Sequence, residues 1–131
     1  MGVALTIRDE RAPGKPTGTV TLEDIPGRIT LRDLIRTRVR EEVARYNSAP
    51  SHDLRTLVRP VEAEVTLNGY GLEKPRRLDW RAQADAAEEA FLRNGFLVLV
   101  GDRQVDDLDE ELELDTDTDV RFVRLTPLVG G

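Results

Sequence analysis

The residues of this chain best suited to chemistry are Gly130 and Gly131, which end the stretch Thr126-Pro127-Leu128-Val129-Gly130-Gly131. Glycine has no Cβ, so another protein's backbone can close around it and a narrow channel can admit it. Six extended residues reach about 20 Å at about 3.3 Å each. That is enough to thread a C-terminus into an enzyme while a folded domain stays outside. The chemistry such a tail offers is carboxylate activation. A free carboxylate is a poor acyl donor, and a partner enzyme using ATP and magnesium can convert a carboxylate such as that of Gly131 to an acyl-adenylate. Chain ends are also commonly tolerant and without a role, so the weight falls on the residues upstream.

No other group of residues competes with the tail. His52 is the only histidine; it sits in a Pro/Ser-rich loop without a companion ligand or nucleophile and reads as solvated. The acids between Asp106 and Asp119 lack the glycine and closing glutamate of a calcium loop and read as a solvated face. No phosphate loop, dinucleotide fingerprint, catalytic triad or zinc motif is present in the sequence. The absence of cysteine excludes a disulfide framework, a thiolate metal site and a cysteine nucleophile, and makes a reducing cytoplasm the default compartment. The chain therefore reads as a substrate of enzymes rather than an enzyme, with no metal and no cofactor of its own.

The elements that must position the tail follow from periodicity. Val3, Leu5 and Ile7 alternate with polar residues as a half-buried strand should. Residues 10–18, with Pro13, Gly14, Pro16 and Gly18, predict a turn, and Thr19 to Leu22 a return strand. Thr30 is placed to cap a helix, with Asp33 at the acidic position of a capping box. Leu31, Leu34, Ile35, Val39, Val43 and Tyr46 form its apolar stripe, with arginines and glutamates on the other face. Leu57 to Leu67 alternates weakly as a strand, and Asn68-Gly69-Tyr70-Gly71 is a turn signal. Asp79 caps a second helix carrying Trp80, Ala84, Ala87 and Phe91 at helical spacing. Gly95, after Asn94, fits the left-handed position that ends helices. Trp80, Phe91 and Phe96 are expected in the core.

From Phe96 onward the order of features resembles the ubiquitin-like β-grasp proteins. Phe96 to Val105 looks like their middle hairpin, turning at Gly101. Asp106 to Leu114 looks like their irregular segment, Asp115-Thr116-Asp117-Thr118-Asp119 like an acidic turn, Val120 to Leu125 like the last strand, and Pro127-Leu128-Val129-Gly130-Gly131 like the tail. The resemblance covers residues 96–131 and extends to residues 3–46, but not to 47–95. It implies an α+β fold, a mixed four- to five-stranded sheet with a helix across it. A single domain over residues 1–125 would carry an insert over about 47–95 with the second helix, followed by a flexible tail over 126–131.

The resemblance also implies function. Arg124 and Leu125, just before the tail, are similar to the modifier branch of the family. Such a chain is adenylated at Gly131, passes to an enzyme cysteine and then to a target, as in a bacterial ubiquitination-like pathway. The implied partners are an activating enzyme, a conjugating enzyme and a deconjugating metalloprotease, with Pro127, Leu128 and Val129 recognised beside Gly130 and Gly131. The Pro-x-x-Gly-Gly ending is similar to the sulfur carriers of thiamine and molybdopterin synthesis, whose C-terminus becomes a thiocarboxylate. A third reading is a self-assembling interaction module, a homo-oligomer in which the tail is incidental. On the strand at 96–100 one alternate pair is core and the other faces outward; Val98 and Val100 are taken as the outward docking patch, with Leu128 as the tail's anchor.

Charge narrows the partners. A net charge of −6 argues against a general nucleic-acid binder, because phosphate contacts need a basic surface. No apolar run approaches the length of a membrane span, and residues 1–8 lack the pattern of a signal peptide. Residues 28–45 are rich in arginine and residues 106–119 carry acids and no base. Two solvated faces are the preferred account, and head-to-tail attraction between copies the alternative.

Overall fold

The computed structural model describes residues 2–12, 14–48 and 77–125. The elements are β1 (Val3–Ala12), β2 (Lys15–Ile25), β3 (Arg28–Thr30), α1 (Leu31–Ser48), α2 (Trp80–Leu92), β4 (Phe96–Val100), β5 (Arg103–Val105), β6 (Glu111–Glu113) and β7 (Val120–Arg124). They fall into two compact units, Met1–Leu34 with Ala90–Gly131, and Ile35–Glu89. The chain is α+β. The expected strand at 57–67, the turn at 68–71, His52 and the tail at 126–131 lie outside the described residues.

The first unit is built on a mixed five-stranded sheet of order β2-β1-β7-β4-β5. β1 and β2 form an antiparallel hairpin, β4 and β5 another, and β7 lies between them, antiparallel to β4 and parallel to β1. The opening turn is tighter than residues 10–18 suggested. Ala12 pairs with Lys15 across a turn holding Gly14 at φ 79°. Pro16 and Gly18 are strand residues instead, which an edge strand tolerates because its outer N–H groups have no ladder partner to lose. The second turn has Gly101 at φ 61°, a backbone angle that favours glycine at the head of a two-residue hairpin loop.

Alternation decides which side of this sheet is apolar. Leu5 and Ile7 of β1, Val120 and Phe122 of β7, and Phe96 and Val98 of β4 share one face and are buried. Phe96 stacks on Phe122 with ring centroids 5.7 Å apart, and Phe91 tilts against Phe96 at 5.7 Å. A small second sheet pairs β3 with β6, setting the buried Ile29 opposite the buried Leu112. Each of its strands has three residues, too short for an alternating pattern to announce.

Both helices begin as their caps require. The Asp33 N–H donates to Thr30 Oγ1 (3.1 Å), and the Arg81 N–H to Asp79 Oδ1 (3.1 Å), each satisfying an amide the helix cannot. The end of α2 departs from expectation. Asn94, not Gly95, is left-handed, at φ 60°. The Gly95 N–H donates to the Ala90 carbonyl (2.7 Å) and the Asn94 N–H to that of Phe91 (3.0 Å), the paired bonds of a Schellman cap. Gly95 is glycine for space, since a Cβ there would lie 3.1 Å from the Ala90 oxygen.

In the second unit, α1 buries Ile35, Val39 and Val43, and Leu78, Ala84 and Ala87 are buried too. The arginines and glutamates of α1 do not all face outward. Arg38 is 1% exposed and pairs with Glu42, one turn on, at 3.3 Å. Both make interactions beyond this pair. At the end of α1, the Asn47 amide brackets one backbone: Nδ2 donates to the Leu78 carbonyl (3.0 Å), and Oδ1 accepts the Leu78 N–H (2.9 Å).

Candidate functional site

The tail residues Pro127, Leu128, Val129, Gly130 and Gly131 lie outside the described residues; the root they grow from does not. β7 ends at Arg124, and the N–H of Leu125 donates to the carbonyl of Gly95 (3.0 Å). The chain therefore leaves the sheet beside the turn that closes α2. Three residues before Gly95 is Leu92, at 67% the one large hydrophobic side chain described as exposed. Sequence reasoning missed Leu92, although the signal was there, because it falls off the Trp80-Ala84-Ala87-Phe91 stripe.

The expected docking patch of Val98 and Val100 needs correction. Val98 is wholly buried and Val100 partly so. Val98 stands opposite Phe122 on one side and Val105 on the other, both buried, so it belongs to the apolar face. The outward members of β4 are Leu97 and Leu99, each partly exposed. Leu97 is opposite Val123 and Leu99 opposite Arg121.

Across β7 that outer face carries the wholly buried Val123 and, two residues before it, charge. Arg121 neighbours Arg8 in the parallel pair, and Asp119 serves both, 2.6 Å from the Arg8 guanidinium and 3.9 Å from Arg121 Nε. Glu10, 6% exposed, lies 3.8 Å from Arg121 and accepts the Gly14 N–H (3.2 Å). A buried carboxylate needs such partners, because an unpaired one costs several kcal/mol or neutralises.

The acidic stretch is tied down locally. Glu113 pairs with Arg28 (2.6 Å), Glu110 with Arg103 (2.5 Å), and Asp109 with Arg32. Asp115 Oδ1 accepts the Asp117 N–H, and Thr118 Oγ1 accepts the Asp115 N–H, each at 2.8 Å. An open cavity of about 390 Å³ is lined by Arg28, Val100, Arg103, Glu111, Leu112 and Glu113. Its two guanidiniums are held above their usual pKa, Arg28 by its hydrogen bond with Glu113 and Arg103 by that with Glu110. The cavity thus holds cations that are already neutralised.

In the second unit, Trp80 is not a core residue. It is partly exposed, and the guanidiniums of Arg36, Arg40 and Arg81 lie 5.6, 5.4 and 5.2 Å from its ring centroid. Arg36 also bonds Asp85 (2.9 Å) and Glu88 (2.6 Å), which hold its pKa above the ordinary value despite partial desolvation. Phe91 and Phe96 are buried as expected.

No group of side chains that could hold a metal ion occurs among the described residues, and no described helix is long and apolar enough to cross a membrane. No family model matches this sequence, and no curated protein and no solved structure is significantly similar to it.

Proposed function

We propose that this chain is a ubiquitin-like protein modifier whose Gly131 carboxylate is activated and transferred to a target, as in a bacterial ubiquitination-like pathway. The observation that supports it most is the placement of β7. A mixed sheet in which β7 lies between two hairpins, parallel to β1 and antiparallel to β4, is the arrangement a β-grasp demands. The diglycine stretch follows β7 after Leu125. On this reading residues 1–125 are one β-grasp domain carrying an insert, and the exposed Leu92 and the partly exposed Leu97 and Leu99 are apolar side chains on which a partner enzyme could rest.

The chemistry is ordinary acyl transfer. The Gly131 carboxylate attacks the α-phosphorus of ATP and pyrophosphate leaves. A thiolate of the enzyme attacks the acyl-adenylate and AMP leaves. A target amine then attacks the thioester and the thiol leaves. This chain supplies the acyl group and the surface that presents it; the partner supplies every catalytic group. The mature protein must end at Gly131, which its intact mass from the native source checks.

The deciding experiment incubates the chain with ATP, magnesium and an adenylating enzyme from the same source. A reducible adduct through Gly131 that passes to proteins supports the modifier. Replacement of one oxygen by sulfur when a sulfur donor is added establishes the sulfur carrier instead, the reading that Pro127-Leu128-Val129-Gly130-Gly131 favours. With neither product, activation is rejected.

A further inference from the structure

We infer that the Trp80 face of the second unit is a docking surface for the acidic segment 106–119 of a second copy of this chain, giving head-to-tail association. Three guanidiniums surround one partly exposed indole. Arg36 is neutralised by Asp85 and Glu88. Arg40 and Arg81 are exposed, and neither has an ion pair with a carboxylate among the described residues. Their contact with the ring holds the side chains without consuming their charge, since the attraction is to the face of the indole. A guanidinium fixed in this way offers carboxylates a planar, weakly hydrated fork at little further cost in conformational freedom.

The complementary surface lies in the same sequence. Between Asp106 and Asp119 there is no base. Asp106 and Glu111 are exposed, and no ion pair joins them to an arginine among the described residues. Two such different patches on one chain make a heterologous contact, which propagates into rings or filaments rather than stopping at a twofold dimer. The net charge of −6 opposes association at long range. At about 0.1 M salt the screening length is already about 10 Å, so contact pairs outlast that repulsion; at about 1 M it is about 3 Å and they weaken too. This association needs neither ATP nor an enzyme, so it stands or falls separately from the modifier reading.

The test uses the full chain in sedimentation equilibrium. At about 0.1 M salt and high protein concentration, the expected average mass is about twofold or more above the 14.7 kDa monomer, returning to monomer near 1 M. Two charge-reversed chains, R40E/R81E and D106K/E111K, are expected to be monomeric alone, with wild-type circular dichroism. Mixed, they are expected to associate again, because each native face then meets its native complement and the reversed faces meet each other. A monomeric wild type overturns the inference. So does association that survives either reversal, or a mixture that stays monomeric. The wild-type salt series stands on its own should a reversed chain fail to fold.

Discussion

Leu125 donates its backbone N–H to the carbonyl of Gly95 at 3.0 Å, joining the end of β7 to the turn that closes α2. Leu125 is the last residue described before the diglycine stretch. Removing what lies beyond should leave the fold intact. Deletion of Gly130 and Gly131 is expected to shift Tm by less than about 2 °C while abolishing adenylate formation. Loss of cooperative unfolding in calorimetry would refute a tail independent of the domain.

The turn holding that bond makes its own prediction. Gly95→Ala places a methyl 3.1 Å from the Ala90 oxygen, an overpacking expected to cost about 1–3 kcal/mol. Asn94→Gly, at a left-handed position, should change stability by about 0.5 kcal/mol or less. Urea unfolding of both variants checks the contrast; equal losses would mean that conformation rather than space selects Gly95.

The faces of β4 should separate stability from binding. Val98→Ala removes wholly buried methyls and is expected to cost about 2 kcal/mol. Leu97→Ser with Leu99→Ser, on the outward side, should cost about 1 kcal/mol or less yet weaken capture by the activating enzyme. Unchanged capture in a pull-down would remove this face from the proposed docking surface.

Asn47 bonds both the N–H and the carbonyl of Leu78. Asn47→Ala leaves two part-buried backbone groups without this partner and is expected to cost about 1–3 kcal/mol. Asn47→Asp keeps the acceptor and loses the donor, so it should fall between. Thermal melts of the three proteins give the order.

Arg36 supplies a prediction about pH. Asp85 and Glu88 raise its folded-state pKa above the unfolded value. A cation raised in this way contributes stability below its unfolded pKa and loses it only as pH climbs through the folded one. Both values lie far on the alkaline side, so the stability difference between wild type and Arg36→Met should be the same at about pH 6 and about pH 9. A difference that shrinks across that range would show that Arg36 is not what the two carboxylates respond to.

Much of the sheet was legible because its strands announce themselves locally. The alternation of Leu5 and Ile7, the glycine at 101 and the hydroxyl at Thr30 each declare a strand, a turn or a cap without reference to anything distant. The outward side of β4 was misread as Val98 and Val100 although a single aromatic argued the reverse: Phe96 has their parity, and so large a side chain favours the buried face. The β3/β6 pair was not legible, because it joins Arg28 to Glu113 through strands too short to carry a period. The buried Arg38–Glu42 pair hid behind its charge. Their positions continue the stripe of Leu31, Leu34 and Ile35, and only the opposite signs one turn apart hinted that both could go inside. The ring of arginines on Trp80 depends on two helices about forty residues apart in sequence, which no local pattern reveals.

The central position of β7 also governs the order in which the molecule can come into being. Its neighbours β1 and β4 belong to hairpins made earlier, and neither is bonded to the other without it. Without residues 120–124 no strand joins the two hairpins. Closing the sheet then joins Ile7 to Val120 across most of the sequence, a long loop that makes folding slow relative to helical domains of this size. A chain cut short before β7 lacks the middle of its sheet. Completion of the sheet therefore waits for the last of its strands in sequence.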